Sequence, residues 1–124
     1  MTSPNPVNWF EIPAADLSRA VDFYEATLGV KLSIMELGAA KMAMFERDPE
    51  GHGAAGSLIQ NEAYTPSHEG TLVYFHVDDI EATLARAEAA GGMTLRPKMA
   101  IGEHGFVGHF EDTEGNRVAL HAMQ

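Results

Sequence analysis

Leu17, Ala20, Val21, Tyr24 and Leu28 recur at the spacing that lines one face of a helix, behind Asp16, a suitable N-cap. Further along, Ile80, Leu84 and Ala87 make a second stripe, with Asp78 and Glu81 at capping-box spacing and Gly91-Gly92 as its stop. An extended run precedes each stripe: "NWFEI" in one case and "TLVYFHV" in the other. Three strand candidates follow each. They fall at about 31–36, 40–46 and 54–60 in the first half, and at about 94–98, 106–111 and 117–121 in the second. "ELGAAK", "DPEGHG" and "DTEGN" supply the turns between them. The pattern predicts βαβββ, written twice.

The two halves also share residues. A shift of 63 positions lays Asp16 on Asp79, Leu17 on Ile80, Val21 on Leu84, Glu25 on Glu88, Ala26 on Ala89 and Gly29 on Gly92. One further residue of offset superposes Asp48–Gly51 on Asp112–Gly115. The order and spacing of the set point to a duplication, with one module at about 5–62 and the other at about 70–123 of a single 1–124 domain.

Composition narrows the function classes. The 124 residues suit one domain, with 45% apolar and 21% charged positions. No apolar run reaches the roughly 18 residues of a membrane span. "MTSPNPVNWFEIP" has neither the basic nor the apolar region of a secretory leader, so a cytoplasmic location is expected. Cysteine is absent, which excludes disulfides, thiolate metal sites and cysteine nucleophiles. With 18 acidic against 8 basic residues the net charge is −10, and no basic cluster is present to hold a nucleic-acid backbone. Nucleophile-elbow, phosphate-loop and dinucleotide fingerprints are missing too.

The stretches "FEIPAADLSRAVDFYEATLGV", "YFHVDDIEATLARAEAAGG" and "GFVGHFEDTEGNRVALH" resemble the vicinal oxygen chelate superfamily, which includes glyoxalase I, bleomycin-resistance proteins and extradiol dioxygenases. The likeness covers nearly the whole chain. It implies an α+β fold of two tandem βαβββ modules whose curved mixed sheets enclose a cavity, and a homodimer. In metal-dependent members a divalent ion is held by His, Glu or Gln on the first and last strand of each module, and it polarises the substrate as a Lewis acid.

Counting from the repeat's landmarks places the first-strand ligand positions at Trp9 and Leu72, and the last-strand position of the second module at Ala119. In the first module, 54–59 contains no carboxylate or imidazole. None of these side chains can serve a hard cation. The expectation is therefore a member without the usual metal site and without a cofactor.

Strand alternation sorts what remains. Phe10, Ile12, Val73, Phe75, Val77, Val118 and Leu120 are expected to face the helices. Trp9, Glu11, Leu72, Tyr74, His76, Arg117, Ala119 and His121 are then expected to face the cavity. Glu11 is the candidate general base, assisted by His76 or Tyr74. Trp9, Tyr74, Arg117 and His121 are candidate ligand contacts, and so is His104, which is expected in a loop before a strand at the cavity mouth. A relocated metal set of Glu11, His76 and His121 has usable ligand types if the three converge. Met35, Met42 and Met44 read as core or dimer packing. Three readings stay open: a module that binds a small organic molecule in a metal-free cavity, a metal-independent proton-transfer enzyme of the isomerase or lyase type, or a metal-dependent glyoxalase-like lyase with relocated ligands.

Overall fold

A computed structural model describes residues 5–124. The first module comprises β1 (Trp9–Pro13), α1 (Leu17–Leu28), β2 (Leu32–Leu37), β3 (Ala40–Phe45) and β4 (Ala55–Gln60). The second comprises β5 (Tyr74–His76), α2 (Ile80–Ala89), β6 (Met93–Ala100), a 3₁₀ turn at Gly102–His104, β7 (Phe106–Glu111) and β8 (Arg117–Ala122). Each module forms a four-stranded mixed sheet in the same order, β1-β4-β3-β2 and β5-β8-β7-β6. The first strand pairs parallel with the last, and the remaining pairs are antiparallel. The fold is α+β, two βαβββ modules, as the duplication predicts.

The repeated residues do the same physical work in both halves. Asp16 and Asp79 adopt the same extended backbone and accept the N–H of Arg19 and Ala82, three residues on, which caps each helix. Asp79 is thus the cap of α2, and the Asp78–Glu81 box expected from spacing does not form. Glu25 and Glu88 each reach the backbone N–H that opens the next strand, at Leu32 and Thr94. The paired glycines after α2 have separate causes. Gly91 has φ +103°, while a Cβ on Gly92 would lie 2.6 Å from the Glu111 carbonyl and 2.8 Å from the Phe23 ring.

Two strands depart from the periodicity. β5 is shorter than the apolar run 71–77, because Arg117, where β8 begins, gives its N–H to Ser67 and leaves Thr71 and Leu72 without a ladder. β6 is longer than expected and carries Pro97 between register shifts, which an edge strand tolerates.

The helix-side faces of both sheets share one core. Ile12, Ala20, Phe23, Tyr24, Leu58, Ile80, Leu84, Phe110, Val118 and Leu120 are buried in a single cluster. Tyr24 lies at its aromatic centre, with ring centroids 5.1 Å from Phe23, 6.0 Å from Phe45, 6.3 Å from Phe75 and 6.4 Å from Phe110.

The turn 112–116 locks the modules together. The Tyr24 hydroxyl donates to Asp112 Oδ2 at 2.6 Å, and Asn116 Nδ2 donates both to Asp112 Oδ2 and to the Pro13 carbonyl at the end of β1. Burial, then the neighbouring Asp112 carboxylate, push the Tyr24 phenol well above its ordinary range, so it stays a donor. Glu114 accepts the Arg19 guanidinium through both oxygens, at 2.8 and 3.0 Å, and the Asp16 N–H at 2.8 Å. The matching turn of the first module has no such partners. Asp48 there is exposed, and among the described residues its side chain accepts only the Glu50 N–H.

Asp112→Ala should therefore lower the unfolding free energy by about 3 kcal/mol, because it orphans the buried Tyr24 and Asn116 donors. Asp48→Ala should cost less than about 0.5 kcal/mol. Equal losses in urea titrations would show that docking of the second turn contributes nothing. Acid dependence follows from Glu114. Burial alone would raise its carboxyl, but hydrogen bonds from Arg19, the Asp16 N–H and the Thr113 hydroxyl outweigh burial and hold it below the ordinary 4.5. Its contribution is fully present above that value and is lost as pH falls through the lowered native one. Glu114→Gln should be less stable than wild type at neutral pH, with a flatter fall in urea midpoint below about pH 4.5; an unchanged acid limb would deny the linkage.

Candidate functional site

β1 and β5 are edge strands that share no ladder with each other. Between them opens a cleft of about 950 Å³, lined by Trp9, Glu11, Leu72, Tyr74, His76 and Arg117, among others. The expected alternation holds only in part: Phe10, Ile12, Val73, Phe75 and Val118 also line the cleft, and the fully buried Ala119 does not. Phe10, Ile12, Phe75, Val77, Val118 and Leu120 pack in the helix-side core, while Glu11 and His76 are exposed. Glu11 has no hydrogen-bond or ion-pair partner among the described residues.

Register extends the site across each sheet. In the second module Tyr74, Ala119, His109 and Arg96 stand side by side on four strands, followed by the row His76, His121, Val107 and Met99. In the first module the corresponding rows are Glu11, Ser57, Met44 and Ser33, then Pro13, Ile59, Met42 and Met35. The methionines thus lie on the face away from the helices, with Met42 buried and Met35 exposed.

Five of the seven predicted site residues, Trp9, Glu11, Tyr74, His76 and Arg117, line the one cleft. The other two lie elsewhere. The His121 ring stands 6.2 Å from that of His76 and donates through Nε2 to the His104 carbonyl at 2.7 Å. The His104 side chain is 78% exposed and faces solvent, so its backbone and not its imidazole meets the sheet.

His109 is the residue that spacing did not single out. It is 8% exposed, and its Nδ1 lies 2.7 Å from Arg117 Nη1. A guanidinium can only donate, so Nδ1 accepts and the ring proton sits on Nε2. The Tyr74 ring meets it edge-on at 6.1 Å and 85°. Burial first, then Arg117 and Arg96, lower the His109 pKa, so the ring stays neutral. Its register opposite Ala119, on the polar face of β7, is the signal by which the sequence could have shown it.

The residues at the family's metal positions do not fit a metal. Glu11 pairs with Ser57 as Tyr74 pairs with Ala119, so register identifies Ser57 as the last-strand position of the first module. The four positions therefore hold Trp9, Ser57, Leu72 and Ala119. Ser57 is fully buried, and its Oγ has no protein partner. An indole, an isobutyl group, a methyl and one neutral hydroxyl make no chelate for a divalent ion. Among the described residues no three His, Asp or Glu side chains come together. Glu11, His76 and His121 accordingly form no metal-holding group: His76 and His121 are neighbours, and Glu11 does not join them in such a cluster.

Comparison with known proteins agrees with the fold. The model of the Glyoxalase/Bleomycin resistance protein/Dioxygenase superfamily matches residues 7–120. A glyoxylase-like domain-containing protein of Didymella fabae is 32% identical over 123 residues, 92% of this chain and 91% of that protein. A putative glyoxylase of Mycobacterium bovis is 31% identical over 107 residues, 86% of this chain and 40% of its own length. A glyoxylase/bleomycin resistance protein/dioxygenase domain from a Frankia species superposes with a TM-score of 0.75 at 15% identity, covering 98% of this chain and 100% of that one. Glyoxalase I from Zea mays gives 0.69 at 22% identity, covering 98% of this chain and 47% of that one. At those identities the solved structures speak for the fold alone, and the chain spans less than half of the maize and mycobacterial proteins. With the family model running from the residues before β1 into β8, the chain belongs to the Glyoxalase/Bleomycin resistance protein/Dioxygenase superfamily.

Proposed function

We propose that this chain binds a small organic molecule in the cleft between β1 and β5, without a metal ion. The observation that carries the reading is the lining. Trp9 and Tyr74 supply flat apolar surface, Glu11, His76 and Arg117 supply polar groups, and the four metal positions supply no chelate. Aromatic walls with a few convergent polar groups are what small-molecule pockets use. A second copy of the chain belongs to the same reading, since Ile34 and Leu37 on edge strand β2 are each 62% exposed.

The unpartnered Glu11 carboxylate in the same cleft as His76 supports a second reading, proton transfer without a metal, with Glu11 as base. The two part at one substitution. Glu11→Gln in an enzyme should abolish turnover and leave ligand affinity nearly intact, whereas in a binder it changes affinity alone.

Three measurements test the proposal. Zinc, nickel or manganese at about 100 μM should leave the melting temperature unchanged, because a site of about 1 μM affinity would add about 2.7 kcal/mol; a shift of several degrees would overturn the metal-free reading. Compounds that raise the melting temperature in a small-molecule screen should perturb the fluorescence of Trp9, the single tryptophan. Tyr74→Ala should weaken those hits roughly tenfold with little loss of stability, given a half-exposed ring. Hits that ignore both residues would place binding elsewhere.

A further inference from the structure

We infer that the β5–β8–β7 side of the cleft is a carboxylate-binding subsite, in which Arg117 grips the ligand's two oxygens and His109 holds the guanidinium in position. The inference rests on the cleft-binding reading and gives its ligand a chemical class.

The geometry carries it. Arg117 lines the cleft, and its one side-chain hydrogen bond goes from Nη1 to His109 Nδ1 at 2.7 Å. That contact leaves the Nε–H and Nη2–H edge, the fork that matches a carboxylate in two parallel bonds, without a partner among the described residues. Glu111 is the register partner of Arg117, yet its carboxylate is taken by His68 Nε2 at 2.8 Å. Arg96 stands at the far end of the same row as His109, and the hydrogen bond found for its side chain is to the Met99 sulfur. Among the described residues, two guanidiniums without a carboxylate partner thus stand on either side of one buried imidazole.

His109 suits the positioning role because it is neutral. A carboxylate in its place would bind Arg117 as well, but would cancel the charge meant for the ligand. The neutral ring accepts one guanidinium hydrogen, fixes the plane of the fork, and leaves the positive charge facing the cleft. Ala119 lies between Tyr74 and His109 on the row, and its methyl is small enough to let those rings meet edge-on. The Tyr74 ring is 51% exposed and offers the adjoining surface for a flat or apolar body. The ligand class is accordingly a small monocarboxylate with an apolar or aromatic body. A phosphate dianion would call for more donors than this fork supplies.

Phenylacetate, phenylacetamide and inorganic phosphate distinguish the outcomes, followed by NMR of the ¹⁵N-labelled protein at the Arg117 Nε and the Trp9 indole. Phenylacetate should bind about tenfold or more tighter than the amide, and phosphate more weakly than phenylacetate. Arg117→Gln should bring acid and amide within about twofold while the amide's affinity stays put, and Arg117→Lys should restore only part of the preference. His109→Asn should weaken phenylacetate by several-fold and broaden the Arg117 Nε signal. Should that buried substitution fail to fold, the half-buried Arg117 variants carry the test alone. In wild type the His109 Nδ1 should show the nitrogen shift of an unprotonated acceptor. Equal affinity for acid and amide, or a preference that survives Arg117→Gln, would overturn the subsite while shifts at Trp9 leave cleft binding standing. Tighter binding of phosphate would overturn the carboxylate assignment. No change at Trp9 with any of the three would overturn both.

Discussion

The carboxylate of Asp112 is where the two modules become one structure. It is 3% exposed and accepts four hydrogen bonds, from the Tyr24 hydroxyl, the Asn116 amide and the backbone N–H groups of Glu114 and Asn116. A buried carboxylate with that many donors is stable only while every donor stays in place. The donors come from α1 in the first module and from the turn before β8 in the second. Asn116 also reaches the Pro13 carbonyl, so the same cluster fixes where β1 ends relative to the start of β8. β8 carries β5 beside it, and the cleft is the space left between β1 and β5. The same cluster therefore reaches the wall of the cleft, where Pro13 and Asn116 are lining residues.

This explains why two nearly identical turns have different fates. Asp48 and Asp112 end corresponding strands, and in each turn the Asp side chain accepts the N–H two residues later. Only the second turn meets a tyrosine. Under the 63-residue shift the counterpart of Tyr24 is Ala87, and that of Arg19 is Ala82. Neither alanine can bind a docking turn. The duplication is symmetric in its backbone and asymmetric in its fastening.

Much of the backbone was legible in the sequence because periodicity and caps are local. The stripe from Leu17 to Leu28, the Asp16 cap and the inward alternation of Phe10, Ile12, Phe75 and Val77 needed only neighbouring residues. What could not be read depended on distant partners. The capping-box spacing at Asp78 lost to Asp79, whose backbone takes the extended shape a cap requires. β5 shrank because Ser67 took the N–H of Arg117. His104 was misplaced because a loop's direction is set by what its ends join, here the 3₁₀ turn over His121. His109 was passed over because spacing along one strand says nothing of the arginine that begins the next.

The two sheets differ in the side chains on their faces away from the helices. Beside Glu11 the first module presents Ser57, Met44, Ile59 and Met42, a largely apolar and polarizable face. The second presents Tyr74, His76, His109, Arg96 and Arg117, nearly all polar. A metal shared by both halves would have required matched donors on each, since a chelate takes its ligands symmetrically about the ion. Once no ion has to be held, that symmetry constraint lapses, and each sheet is free to specialise. On the proposed reading, one largely apolar face and one cationic face suit a molecule that is itself two-ended. On the proposed reading Trp9 and Leu72 put hydrocarbon into the same lining as Arg117, and a guanidinium–carboxylate contact is stronger where such groups exclude water.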